Sequence, residues 1–438
     1  MSTQRPNVLW IFSDQHRASA IGCYGDPNIE TPHLDRLARE GIRFTNAYSS
    51  TPICSPFRAC LYTGQHITTH GVTSLFRPLL PAQQPELPEV LREAGYHTSH
   101  MGKWHLGGGD CPTHYVTPYF RPGWDEWLGW ENSNVPMATT YSVGDHPHPV
   151  RTLPGYQTDA LTDLTLEWLR AQPPDRPWFH VVSVEPPHSP NIAPEPYMAM
   201  FADRPLEFRP NYALDHPQRE RNDRLLRGYY AQIKDLDDNV GRILAALEQT
   251  GQLDNTIVCY LSDHGDMMGS HGRQQKSRPE EESANIPLIV RYPRRIPAGV
   301  VSDAFIGGVD LMPTLLGLLG IAIPQSVEGE DLSGVLTGER QEGADAVLLQ
   351  YETAFFPFTP HTVFRALRTG RWLYSHFLTQ GPAQLFDLEA DPCELHNLID
   401  APDHEATRQR LHAMLADRLE RLNDDYLARA AAHAAASS

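Results

Sequence analysis

Long apolar runs are missing from this sequence. The most apolar stretch, residues 307–323, contains Asp310 and Pro313 and is too short to span a bilayer comfortably. No secretory pattern opens the chain: residues 1–6 lead straight into the short apolar run 8–12 and then into charge. These absences predict a soluble, cytoplasmic protein with no membrane partner. Cysteine is scarce. Cys23, Cys54, Cys60, Cys111, Cys259 and Cys393 show no CxxC spacing, which predicts reduced thiols rather than a disulfide framework or a zinc cluster. Positive charge is also short, with 36 basic against 54 acidic residues and a net charge of −18. A nucleic-acid-binding face needs the opposite balance, so that class is set aside. No repeat of solenoid period is visible.

What is present is an alternation of short apolar runs with longer amphipathic ones. Residues 7–13, 178–184, 256–262 and 288–292 are nearly uninterrupted apolar stretches and predict strands buried on both faces. Residues 31–40, 87–94, 158–171 and 223–249 predict helices; in the last, Leu225, Tyr229, Leu236, Val240, Leu244 and Leu247 recur at helical spacing before Gly251. The alternation predicts a three-layer α/β sandwich around a large, mostly parallel mixed sheet, over residues 1–343. Residues 344–438 change character. Runs 347–351, 364–369, 371–375 and 384–387 predict antiparallel strands, the middle two joined at Gly370, followed by a helix over 406–427 that frays into an Ala-rich tail. This is the signature of a small C-terminal subdomain. Residues 108–155 and 189–222, rich in Pro, Tyr, Trp and His, predict long surface loops. Trp124, Trp127, Trp130, Tyr115, Tyr119 and Tyr141 in the first of these either stack on a ligand ring or pack the loop down.

Three of the predicted strands end in side chains suited to ligation: Asp14-Gln15-His16, Asp263-His264-Gly265 and Glu185-Pro186-Pro187-His188. The carboxyl ends of strands in an open α/β sheet form the ligand crevice. A single Asp there is more often an N-cap or turn former than a ligand. The repeated Ser-Asp ending is what points to one cation held by Asp14, Gln15, Asp263 and His264. Cys54-Ser55-Pro56-Phe57-Arg58 places proline in the first turn of a helix, so Cys54 sits at a positive helix end with Arg58 one turn on. Read alone, that Cys is equally a small buried residue, and Lys103 and Lys276 are ordinary surface lysines.

The blocks together are more specific. Cys54-x-Pro56-x-Arg58 followed by Leu61-Tyr62-Thr63-Gly64 resembles the signature of the formylglycine-dependent sulfatases of the alkaline phosphatase superfamily. Arg5-Pro6-Asn7-Val8 through Asp14, the helix start Thr31-Pro32-His33-Leu34-Asp35-Arg36-Leu37-Ala38, Gly102-Lys103-Trp104-His105-Leu106-Gly107, Pro186-Pro187-His188-Ser189-Pro190, Ser262-Asp263-His264-Gly265, Lys276 and the closing Leu385-Phe386-Asp387 to Asn397-Leu398 resemble family blocks in family order. The resemblance implies that a formylglycine-generating enzyme oxidises Cys54 and that one divalent metal ion is bound by Asp14, Gln15, residue 54, Asp263 and His264. It further implies that Arg58 and Lys103 steady the hydrated formylglycine and the sulfate oxygens. His105 takes the proton that releases sulfate, and His188 with Lys276 binds the ester and its leaving oxygen. Gln15 and His264 stand where many members carry Asp and Asn, as in the branch containing choline sulfatases and phosphonate monoester hydrolases. One imidazole makes Mn²⁺ plausible beside Ca²⁺. The expected substrate is a small sugar, aryl or alkyl sulfate, with phosphonate monoesters and phosphodiesters as the alternative.

Overall fold

The computed structural model describes residues 5–81, 84–108, 115–352 and 363–437. Its strands in chain order are β1 (Asn7–Asp14), β2 (Ile42–Phe44), β3 (Ala47–Tyr48), β4 (His97–Lys103), β5 (Glu126–Trp130), β6 (Thr140–Val143), β7 (Arg151–Thr152), β8 (Trp178–Pro187), β9 (Thr256–Ser262), β10 (Leu288–Arg291), β11 (Val300–Ser302), β12 (Ile306–Gly307), β13 (Ala346–Tyr351), β14 (Phe364–Thr369), β15 (Trp372–Phe377) and β16 (Gly381–Asp387). Ten of them form one sheet in the order β11-β2-β10-β9-β1-β8-β4-β5-β6-β7. Its centre, β9 to β5, is parallel throughout.

Alternation of side chains explains why this sheet is covered on both faces. Val8, Trp10 and Phe12 of β1 point into one core with Ile257, Cys259 and Leu261 of β9. Leu9 and Ile11 point into the other with Val258 and Tyr260. The second core is roofed by helices Gln157–Ala171 and Arg219–Gln249, the latter through Leu236, Val240, Leu244 and Leu247. Expected and observed boundaries coincide for β9 and β14 and differ by a few residues elsewhere.

The first predicted surface loop is corrected. Residues 126–152 supply β5, β6 and β7, which extend the sheet rather than leave it. Aromatic residues do here what aliphatics do in β1: Trp124, Trp127, Trp130 and Tyr141 are all buried in the two cores. Tyr119 is exposed, and the Tyr115 hydroxyl donates to the Asp145 carbonyl at 3.1 Å. The second predicted loop contains helix Glu195–Ala202. Cys111 lies outside the described residues; Cys23, Cys54, Cys60, Cys259 and Cys393 are free thiols.

A four-stranded antiparallel sheet, β13-β14-β15-β16, follows. One face carries Leu411, Leu415 and Leu419 of helix Glu405–Arg421; the other packs Val347, Leu349, Phe364 and Leu373 on Tyr48, Ile53 and Phe305. Ile53 is the residue from which the Cys54–Thr63 helix starts, so this sheet buttresses the start of that helix. The terminal helix is not continuous: it breaks at 422–425 and resumes as Tyr426–Ser437. Asn423 takes φ 51°, and the Asp424 carboxylate is pulled inward to Arg365 Nε at 2.6 Å. The same carboxylate accepts the Tyr426 amide at 3.1 Å, starting the next helix.

Gly102 fixes how closely β4 approaches β8. Its φ is +121°, and a Cβ there would stand 1.9 Å from the Ser183 carbonyl oxygen. Gly102→Ala is therefore expected to destabilise the fold by roughly 2–4 kcal/mol through strain and displaced backbone. Thermal unfolding checks this, and a variant as stable as wild type contradicts it. Among the described residues no helix is long and apolar enough to cross a membrane.

Candidate active site

The carboxyl ends of four neighbouring parallel strands meet at one place. Asp14 ends β1, Asp263 follows β9, Lys103 ends β4 and His188 follows β8. The pairing Ser13↔Ser262 sets Asp14 beside Asp263, and Asp14 also lies opposite Pro187. Cys54 enters from above as the first residue of the Cys54–Thr63 helix, with Pro56 in its first turn, as the sequence pattern required.

Ligand atoms of Asp14, Cys54, Asp263 and His264 all lie within 4.8 Å of one another, and all four residues are buried. His264 Nδ1 donates to the Gly265 carbonyl at 2.9 Å, which leaves the Nε2 lone pair facing the group. Nε2 is 3.3 Å from Cys54 Sγ, 3.6 Å from Asp14 Oδ1 and 3.5 Å from Asp263 Oδ1. Gln15, at φ 67°, lies next to them; its Oε1 accepts from Lys276 Nζ at 2.7 Å and its amide donates to Asp266. His16 is turned to the Tyr260 hydroxyl at 2.6 Å and takes no part.

Three cations surround this group. Arg58 reaches Asp14 Oδ2 at 3.3 Å and Asp263 Oδ2 at 3.2 Å, while its other arm donates to the Lys103 carbonyl and Ser183 Oγ, each at 3.0 Å. Lys103 Nζ is 2.7 Å from Asp14 Oδ2 and 4.0 Å from Cys54 Sγ. Lys276 Nζ is 3.3 Å from Cys54 Sγ and 2.8 Å from His188 Nε2. The His188 Nδ1 hydrogen goes to the Ser189 carbonyl at 2.7 Å, so Nε2 is the acceptor.

The electrostatics follow from this packing. Burial alone would raise the Asp14 carboxyl, but Lys103, His188, Lys276 and Arg58 hold it well below the usual carboxylate range. Asp263, less well served, is pushed up to about 6 by burial and by the charge of Asp14. Burial, then the charges of Lys103 and Arg58, holds the His105 imidazole well below its ordinary value. His188 is lowered in the same way by burial and Lys276.

Cys54, Lys103, His105, His188 and Lys276 line a cleft of about 1060 Å³. The structure thus brings all ten singled-out residues to one end of the sheet, with Arg58 behind the nucleophile rather than in the cleft. None of the six aromatics of the first loop lines it. Several supporting residues escaped the sequence reading. Ser183 orients Arg58. Glu131, pushed up to about 7 by burial, accepts the backbone amides of Gly107 and His105. Glu185, read as a ligand-type strand end, instead anchors the cleft wall by accepting the amides of Ser133 at 2.6 Å and Asn134 at 3.1 Å.

Residues 6–321 match the family model described as Sulfatase, and residues 269–422 match that of the C-terminal part of N-sulphoglucosamine sulphohydrolase. An ulvan-active sulfatase of Formosa agariphila is 36% identical over 97% of this chain and 83% of its own length. A solved structure in complex with its substrate D-glucosamine-2-N,6-O-disulfate is 26% identical, covers 96% of this chain and 99% of its own, and superposes with TM-score 0.85. The phosphonate monoester hydrolase of Agrobacterium radiobacter, 26% identical with 96% of both chains covered, superposes with TM-score 0.77. With the family model covering most of the chain and a relative this similar over nearly all of it, the protein belongs to the sulfatase family of the alkaline phosphatase superfamily and is an enzyme that hydrolyses sulfate esters.

Proposed function

We propose that the protein hydrolyses sulfate monoesters carried on sugars, using residue 54 as nucleophile after oxidation of its cysteine to formylglycine, beside one divalent cation. The observation that carries this reading is the setting of Cys54 Sγ. It lies at a helix N-terminus on a cleft floor, 3.3 Å from both His264 Nε2 and Lys276 Nζ and 3.7 Å from Asp14 Oδ1. The sugar class is supported by the names of the ulvan-active relative and of the disulfated glucosamine complex.

The donor set fits a divalent ion: two buried carboxylates, an imidazole with its lone pair turned inward and the atom on Cβ of residue 54, with the Gln15 amide at hand. Asp14, Gln15, Asp263, His264 and residue 54 would hold Ca²⁺ or Mn²⁺. Once bound, the ion supplies Lewis acidity at the sulfate and lowers the pKa of the attacking hydroxyl. Arg58 and Lys103 brace Asp14 and Asp263 so that neither moves when charge shifts. Lys276 faces the cleft, where its ammonium neutralises the sulfate oxygens and supplies the proton of the departing alcohol, while His188 Nε2 accepts from that ammonium at 2.8 Å and orients it. Hydrated formylglycine carries two hydroxyls on one carbon. One forms the bond to sulfur as the S–O bond to the alcohol breaks. His105 then takes the proton of the other, the C–O bond to sulfate breaks, and the aldehyde is restored.

A base held below its ordinary pKa is unprotonated over a wider acidic range. The kcat is therefore expected to stay level as pH falls through about 6.5, the ordinary imidazole value, and to decline only below it. A kcat limb centred at or above that value contradicts the role of His105. The second reading, a phosphonate monoester or phosphodiester hydrolase, is supported by Asp14-Gln15 with Asp263-His264 and by the fold shared with the Agrobacterium enzyme. Matched 4-nitrophenyl esters separate the two. The expected kcat/KM favours sulfate over phosphonate by at least about tenfold, roughly 1.4 kcal/mol. A tenfold preference the other way transfers the assignment to the phosphonate.

A further inference from the structure

The outer end of the cleft is built differently from its floor. One wall is the segment entering helix Arg219–Gln249, with His216 and Arg221; the other is the loop after β9, with Gly272, Arg273 and Gln274. The two are fastened together. Ala213 N donates to the Gly269 carbonyl at 3.1 Å and His271 N to the Asn211 carbonyl at 2.7 Å. Gly272, at φ +68°, sits so close to His216 that a Cβ would come 3.3 Å from its ring. Arg221 and Arg273 therefore stand on one fixed rim.

Neither guanidinium forms an ion pair with a carboxylate among the described residues. Arg221 reaches only Gln218 Oε1 at 3.3 Å. The acids nearby are taken: Asp223 by Arg219 at 3.6 Å and Glu280 by Arg278 at 2.9 Å. The charge of Arg278 beside it, after burial, even lowers Arg273. In a chain of net charge −18, two guanidiniums without an ion pair on the lip of a cleft lined by Lys103 and Lys276 form a local positive field. Asn222 Oδ1 and Gln274 Nε2, both shielded from solvent on these walls, have no hydrogen-bond partner among the described residues. They are an acceptor and a donor suited to ring hydroxyls.

We infer that Arg221 and Arg273 form a second anion subsite, so that the preferred substrate is a polyanionic saccharide bearing, beyond the scissile sulfate, a further carboxylate or sulfate. Arginine suits this task because its planar fork pairs with both oxyanions through two parallel hydrogen bonds. The inference rests on the reading of the cleft floor as the sulfate-cleaving site.

The test compares kcat/KM for three saccharide probes of equal length: one with a single sulfate, one with an added carboxylate and one with an added second sulfate. 4-Nitrophenyl sulfate serves as reference. Wild-type enzyme is expected to prefer a doubly anionic probe over the single sulfate by about tenfold or more, chiefly through KM, with the preference shrinking in high salt. In Arg221→Ala/Arg273→Ala the ratio of doubly anionic to 4-nitrophenyl substrate falls by a similar factor, and the double Lys variant restores part of it. Which of the two probes responds identifies the anion. If neither is preferred, or if the double variant leaves the ratios unchanged, the subsite is refuted. Failure to cleave any sulfate, 4-nitrophenyl sulfate included, would instead refute the reading of the floor.

Discussion

Cys54→Ala is expected to lower kcat by about 10⁴-fold or more, some 5.5 kcal/mol of transition-state stabilisation, while leaving the fold intact. The side chain is small and lies at the start of the helix, so its loss removes little packing. Everything that depends on a nucleophile at that point is lost. Lys276 at 3.3 Å and Lys103 at 4.0 Å then neutralise an anion that no group attacks. Cys54→Ser separates two roles. A single hydroxyl can be sulfated but has no second hydroxyl with which to expel sulfate, so the variant is expected to stall as a sulfated enzyme or to be nearly inert. Full turnover by Cys54→Ala, or by wild-type enzyme whose thiol is unmodified, contradicts the nucleophile assignment.

The second large effect concerns the cation. Removing it with a chelator is expected to cost on the order of 10³-fold in kcat/KM, restored by Mn²⁺ or Ca²⁺, and elemental analysis of the untreated enzyme should find about one equivalent per chain. Asp263→Asn should lose both metal and activity. Asp14→Asn should in addition destabilise the protein by about 3–5 kcal/mol, because Lys103 at 2.7 Å and Arg58 at 3.3 Å lose the carboxylate that compensates them in the interior. If both variants kept metal and activity, the cation would have to lie elsewhere.

The sequence made some of this fold readable because particular strands obey a simple rule. In β1 and β9 consecutive aliphatic and aromatic residues are shared between two cores, and a continuous apolar run reports that directly. The neighbouring β4 does not: His97-Thr98-Ser99-His100-Met101-Gly102-Lys103 reads as polar, yet nearly all of it is buried. Part of that polarity is absorbed by tertiary contacts, although Ser99 Oγ and both ring nitrogens of His100 find no hydrogen-bond partner among the described residues. Thr98 donates to the Gly123 carbonyl at 2.6 Å, and the His100 ring stacks on Trp127 at 4.8 Å. Such compensation is a tertiary fact. For the same reason β5, whose aromatics pack against it, reads in the sequence as part of a surface loop. The break at residues 422–425 likewise depends on Arg365, some sixty positions earlier, drawing Asp424 inward.

At the site, the ligand-type strand ends and the Cys54 helix start were legible because each is a short local pattern whose chemistry can be named. The supporting residues were not. Ser183 faces Arg58 only through the pairing of β8 with its neighbours. Asp266 holds the Gln15 amide only because β1 and β9 lie side by side in register. Their roles exist in the sheet, not in any stretch of the chain.

The most direct measurement is the mass of the proteolytic peptide containing residue 54, taken from active enzyme made in a host able to carry out the modification. The expected peptide has lost one sulfur and two hydrogens and gained one oxygen relative to the encoded cysteine, and the modified fraction should track specific activity across preparations. Fully active enzyme whose peptide carries an intact thiol would contradict the formylglycine assignment and the mechanism built on it.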